Sequence, residues 1–305
     1  MAHEADPDHS LVILERAKSS GQGPGGYPGA MPAGYEEPYV SGSEEPCADS
    51  HIEPHRDNKG ATIMSEITNS SAVTVVLVHG AFADSSSWSG VIERLQADNV
   101  QVVAAANPLR GISVDAAYLA SLFAQIPGPV LAVGHSYGGA VISNAATSAS
   151  NVVGLVFVAA FAPDEGERLG EISATSTDSV LGSALVPHQY PTETGMATEF
   201  TIDPAKAREA FASDVSERDA AIIGTIQRPV SELAFGEPSG APAWKTLPTW
   251  AVVATNDHAA GTDVVRAHAA RAGAQITEVD GSHVIMISQP QVVADVIETA
   301  IAKVG

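Results

Sequence analysis

The run VLAVGHSYGGAVISNA, residues 130–145, constrains this chain more than any other segment. An unbroken apolar stretch meets Gly134-His135-Ser136-Tyr137-Gly138-Gly139 and passes into an apolar helical stretch. The pattern is G-x-S-x-G set between a buried strand and a helix, the context of a nucleophile elbow. A corner this tight needs glycine on both sides of the serine, because side chains there would collide with neighbouring backbone. The helix that starts behind the serine aims N–H groups and a partial positive charge at the corner. Ser136 is therefore the candidate nucleophile.

From residue 73 onward, short β-branched runs alternate with amphipathic helical stretches, which signals parallel βαβ units. The strands are expected at 73–78, 101–105, 130–134, 154–160, 250–255 and 275–279. They are nearly continuous apolar runs, as strands covered on both faces should be. Helices are expected from the spacing of Trp88, Val91, Ile92 and Leu95, of Ala117, Leu119, Leu122 and Phe123, and over about 138–148 and 289–302. The fold class is thus α/β: three layers, αβα, around a mostly parallel, doubly wound, six-stranded sheet. Residues 164–248 break the alternation and are too long for a simple βα connection. They are expected to form an inserted cap, with helical pieces near 204–213 and 216–227 and an extended piece, TEFTI.

Three more clusters fall at strand ends, where open α/β sheets place their ligands. His79-Gly80-Ala81-Phe82 follows the first strand, and its glycine lets the next amide face the crevice. The N–H groups of Ala81 and Tyr137 are the candidate oxyanion donors. His79 is expected to hold the loop through its ring. Asp257 follows the fifth strand and His283 the sixth, giving the chain order nucleophile, acid, base. A serine needs a base to take its proton, and the imidazole needs a carboxylate to fix its tautomer. Asp164, after the fourth strand, is the alternative acid, but it opens the cap in the run Asp164-Glu165-Gly166-Glu167, which reads as a solvated turn. His258 is expected on a surface loop, and His188 and His268 as solvated or cap residues. Arg110, in NPLRG, is either an ion-pair partner or a contact for a substrate carboxylate.

The segments VVLVHGAFADSSSW, GHSYGG and VDGSHVIMISQP resemble the α/β-hydrolase superfamily over roughly 73–304. They are most similar to the branch of plant methylesterases and hydroxynitrile lyases with its bacterial relatives. The resemblance implies that the two leading strands of the full fold are absent. It also implies a sheet order of second, first, third, fourth, fifth and sixth strand, with Ser136 and the HGA loop across the switch-point crevice. Hydroxynitrile lyases of this branch carry lysine directly after the histidine, where this chain has Val284. Cofactor-free haloperoxidases and perhydrolases typically carry methionine after the nucleophile, where it has Tyr137. Dehalogenases and epoxide hydrolases use an aspartate in place of Ser136. With the serine, acid and histidine at strand ends, the resemblance implies a serine hydrolase, and small carboxylic esters with no cofactor are the expected chemistry. The alternatives are a lactone, amide or carbon–carbon bond hydrolase using the same triad, or a non-catalytic small-molecule receptor on this fold.

Composition narrows the partners. Acidic residues outnumber basic ones 36 to 15 in 305 residues, a formal charge of −21 that disfavours nucleic acid and anionic membrane surfaces. One cysteine, Cys47, permits neither an internal disulfide nor a cysteine zinc cluster. No run of about 18 apolar residues marks a membrane span, and the acidic start is unlike a signal peptide. A cytoplasmic location is expected. Residues 1–71 are rich in Pro and Gly, follow no helical or strand period, and are expected to be a disordered acidic tail before a domain at 72–305. Met64 is an alternative natural start. His51 and His55 share a metal-ligand spacing, but Pro54 between them spoils a helix, and they are expected to be solvated.

Overall fold

The computed structural model describes residues 72–305; the expectations for the tail, His51 and His55 lie outside the described residues. The first half alternates as β1 (Thr74–Val78), α1 (Ser89–Ala97), β2 (Gln101–Ala105), α2 (Ile112–Ala124), β3 (Val130–His135), α3 (Tyr137–Ala145) and β4 (Val152–Val158). An excursion follows with α4 (Leu169–Ala174), β5 (Leu185–Thr192), β6 (Gly195–Ile202), α5 (Ala207–Ala210), α6 (Glu217–Ile226), β7 (Val230–Ser231) and α7 (Leu233–Gly236). The chain returns through β8 (Thr249–Ala254), α8 (Thr262–Arg271), β9 (Gln275–Val279), α9 (Ile285–Ser288) and α10 (Pro290–Val304).

The main sheet runs β2-β1-β3-β4-β8-β9, with every neighbouring pair parallel. Residues of β1, β3 and β8 are buried throughout, while the edge strands β2 and β9 are partly exposed. Burial on both faces is what selects the Val-rich runs at the centre. Two apolar layers result. One holds Leu77, Val133, Val156 and Val252 with Trp88 and the Val293–Ile297 stripe of α10. The other holds Val76, Ala132, Leu155 and Ala251 with Leu119, Phe123 and Ile142 of α2 and α3. From β1 the chain leaves toward β2, then crosses back to β3 on the other side. The β1 and β3 ends therefore diverge and leave a crevice at their carboxyl edge.

The strand expected at 154–160 is β4, begun earlier and stopped at Val158, because Ala159 takes a left-handed φ of 45°. The excursion is richer than expected. TEFTI belongs to β6, which pairs antiparallel with β5 on one side and β7 on the other. The sequence LVPHQYPT does not read as a strand because of Pro187 and Pro191. Four residues apart, the two prolines share one edge of β5, the edge left open because β6 occupies the other. Of the helical piece expected at 204–213, only Ala207–Ala210 forms.

The ends of the excursion are tied to each other and to the core. Gly166 N–H donates to Ser239 O and Ser239 N–H to Glu167 O, both at 2.8 Å. Asp164 pairs with Lys245. Both guanidinium Nη atoms of Arg271 meet the Glu167 carboxylate at 2.7 Å, and Nη2 also donates to Ala162 O at 2.9 Å. His268, expected to be solvated or part of a cap, is instead buried on α8, where its Nδ1 accepts from Ala162 N–H at 3.0 Å. The partner sits at the end of β4, far away in sequence, so only the folded chain shows why this polar ring tolerates burial.

Burial lowers the His268 pKa to about 4. An unfolded histidine titrates near 6.5. Between those values the unfolded chain takes up a proton that the folded chain refuses, so stability falls as pH drops from about 6.5 toward 4. The term amounts to about 2 kcal/mol at pH 5 relative to pH 7. His268→Asn keeps an acceptor for Ala162 N–H but does not titrate. Urea unfolding at both pH values should show a loss smaller by about that amount in the variant. An identical loss in both proteins would contradict the assignment.

Candidate active site

At the end of β3 the chain turns through Ser136, whose φ of 54° and ψ of −122° are rare for a residue with a side chain. The turn is held on both sides. Ser136 N–H donates to Val158 O at 3.2 Å, and Ser136 O accepts from Gly139 N–H at 3.0 Å and Phe161 N–H at 3.2 Å. A Cβ on Gly134 would lie 2.6 Å from Gly138 O, and one on Gly80 would lie 2.6 Å from Ser136 Cβ. The glycines flanking the serine and the one in the HGA loop are thus the same requirement met from two directions.

Asp257 and His283 converge from the loops after β8 and β9. His283 Nδ1 donates to Asp257 Oδ2 at 2.8 Å, both side chains buried. Asp257 Oδ1 accepts from the N–H groups of Ala259 and Ala260, each at 2.9 Å. These three donors engage both oxygens of the carboxylate. With the proton fixed on Nδ1, His283 presents an unprotonated Nε2. Ser136 Oγ and His283 Nε2 have no hydrogen-bond partner among the described residues, and neither is sealed from solvent. Asp164, the alternative acid, is taken up by Lys245 and by its own turn, with Glu165 N–H donating to it at 2.7 Å.

The HGAF loop lies across the crevice. His79 Nε2 accepts from Asn107 N–H at 3.0 Å, and Nδ1 donates to Gly80 O at 2.9 Å. Burial lowers its pKa to about 4, so a neutral ring with both nitrogens engaged staples the loop. Phe82 adopts a left-handed φ of 59°. The N–H groups of Ala81 and Tyr137 have no acceptor among the described residues. His135, inside the motif, donates from Nε2 to His283 O at 2.9 Å, and burial keeps the ring neutral. Its ring lies 4.6 Å from that of His283, and the Phe211 ring lies 5.0 Å away on the same imidazole.

Three partners were not legible beforehand. The Tyr137 hydroxyl donates to Asp115 Oδ2 at 2.8 Å, and Asp115 also accepts from Arg110 N–H at 3.1 and 3.2 Å. Burial pushes both the Asp115 carboxyl and the Tyr137 phenol up. The available signal is an acid on the apolar stripe Ile112, Asp115, Ala116, Leu119 and Phe123. Asp214, between α5 and α6, accepts from Ser282 N–H at 2.9 Å and from the Ser282 hydroxyl, tying the excursion to the His283 loop. Glu199 on β6 takes Arg110 Nη1 at 2.7 Å, with the guanidinium 4.6 Å over the Tyr190 ring. Arg110 is therefore an ion-pair partner. His258 contacts Asp178 O and His188 contacts Thr201, both on the surface. Among the described residues no group of three or more His, Cys, Asp or Glu could hold a metal ion, and no helix is long and apolar enough to cross a membrane.

Comparison with known proteins places this arrangement. Polyneuridine aldehyde esterase superposes with a TM-score of 0.65 at 19% identity, covering 75% of this chain and 99% of that one. A pyrethroid hydrolase from Sphingobium faniae JZ-2 gives 0.62 at 20% identity, covering 76% and 98%. Tomato methylketone synthase I in complex with 2-tridecanone gives 0.61 at 18% identity, covering 77% and 99%. At these identities the likeness is one of fold. No curated protein matches in sequence. The sequence model of the alpha/beta hydrolase family matches residues 75–296, and with this sheet order beneath it, the chain belongs to that family.

Proposed function

We propose that this protein is a serine hydrolase of small carboxylic esters, with Ser136 as nucleophile, His283 as base and acid, and Asp257 as the carboxylate behind it. The observation that carries the reading is the 2.8 Å contact from His283 Nδ1 to Asp257 Oδ2, taken together with a serine held at φ 54° at the end of β3. The open N–H groups of Ala81 and Tyr137 add to it. Two of the structural neighbours bear the names of an esterase and a pyrethroid hydrolase, which fits the same class.

The steps follow from the tautomer. His283 Nε2 takes the Ser136 proton as Oγ attacks the ester carbonyl. The carbonyl oxygen becomes an oxyanion facing the Ala81 and Tyr137 amides. Such preorganised donors are worth about 10² to 10³ in turnover each. The tetrahedral species collapses, His283 passes its proton to the leaving alcohol, and an acyl group stays on Oγ. Water, activated by the same imidazole, then releases the acid. Asp257 holds the ring and offsets its positive charge at each transition state. Residues 164–248 serve as a cap that limits water and shapes the substrate site.

Ser136→Ala should reduce turnover of a p-nitrophenyl ester by about 10⁴ or more, with circular dichroism unchanged. Asp257→Asn should cost on the order of 10⁴, because the ring then loses its working tautomer. Asp164→Asn, on a surface ion pair, should stay within about threefold of the parent protein. If Asp164→Asn is the crippled enzyme, the acid is misassigned. If Ser136→Ala keeps its activity, the mechanism is wrong.

A further inference from the structure

A cavity of about 150 Å³ has a lining that contains neither Ser136 nor His283 but shares Phe211 and Val284 with the surroundings of His283. Part of its wall comes from residues next to the candidate site. Phe82 follows Ala81 in the chain, Val284 follows His283, and the Phe211 ring rests edge-on against the His283 imidazole at 5.0 Å. Phe82 and Phe211 also meet each other edge-on at 6.3 Å, so the two rings stand together at the border of the crevice. The outer wall is Ile223 and Ile226 of α6, and Ile226 is 49% exposed although apolar. Across the mouth stand Ser86, Ser87 and the Asp84 carboxylate. None of the lining residues is basic.

We propose that this cavity seats one arm of the ester substrate, an uncharged alkyl or aryl group, and so selects the substrate class. The inference rests on the ester reading above. An apolar lining rewards each buried methylene. A carboxylate would enter with no cation to pair with and with Asp84 at the mouth, an uncompensated burial. The volume admits a short chain or a single ring and not a long acyl tail. Apolar chemistry can come from the acyl side or the alcohol side of the ester, and the two are separated by experiment.

Two series would be measured by pH-stat, methyl esters of linear acids from acetate to hexanoate, and acetates of linear alcohols from methanol to hexanol. In one series kcat/KM should rise by up to about fourfold per methylene until the cavity is full. That series identifies the arm. Ending the longest chain of that series in a carboxylate should lower kcat/KM by at least tenfold. Ile226→Trp, at a half-exposed position on the outer wall, should cancel at least tenfold of the long-to-short ratio while methyl acetate stays within twofold. Ser89 also lines the cavity, and Ser89→Trp should act likewise if Ile226→Trp fails to fold. Turnover of the short esters with no length dependence in either series would overturn the cavity assignment and leave the ester reading standing. So would an unchanged ratio in the folded Trp variant. Turnover of no ester in either series would overturn both.

Discussion

The geometry of the candidate site depends first on one backbone torsion, the left-handed turn at Ser136. A non-glycine residue in such a sparsely populated region costs on the order of 1–3 kcal/mol unless the surroundings hold it. Here they do so by direct bonds and by close approach. Val158 O, Gly139 N–H and Phe161 N–H fix the serine peptide units. Gly134, Gly138 and Gly80 allow β1, β3 and α3 to crowd around it at distances no Cβ would survive. The first amide of α3, that of Tyr137, is left without a partner among the described residues.

His283 is positioned from two independent parts of the chain. From the core, His135 in the serine motif holds the His283 carbonyl, and Asp257 holds its ring. From the excursion, Asp214 grips Ser282, the residue just before it, and Phe211 packs on the imidazole. Arg110 and Glu199 join the excursion to the loop after β2, whose Arg110 N–H also bonds Asp115 beneath Tyr137. The insertion is therefore part of the framework that locates His283.

Much of this was legible in the sequence, for a physical reason. Central parallel strands are buried on both faces, so they appear as unbroken apolar runs, and the residues just past them are the ones that can meet. The expectations for Ser136, Asp257, His283 and the Ala81 loop are drawn that way, and the folded chain brings Asp257 to His283 while Asp164 pairs with Lys245. What escaped depends on long-range pairing. Asp115 looks like any surface acid until Tyr137 and the Arg110 amide are brought to it. His268 looks solvated until Ala162 supplies its donor. Strand β5 was hidden by prolines that only an open sheet edge accommodates.

The most direct measurement is a reaction with a fluorophosphonate, followed by intact mass and peptide mapping. Phosphonylation requires a serine made nucleophilic by its base, with an oxyanion site beside it, and it does not depend on which ester is the substrate. One adduct per chain on Ser136, abolished by His283→Ala, is the expected result. An unlabelled protein, or an adduct on another residue, would contradict the assignment of this crevice as a working active site.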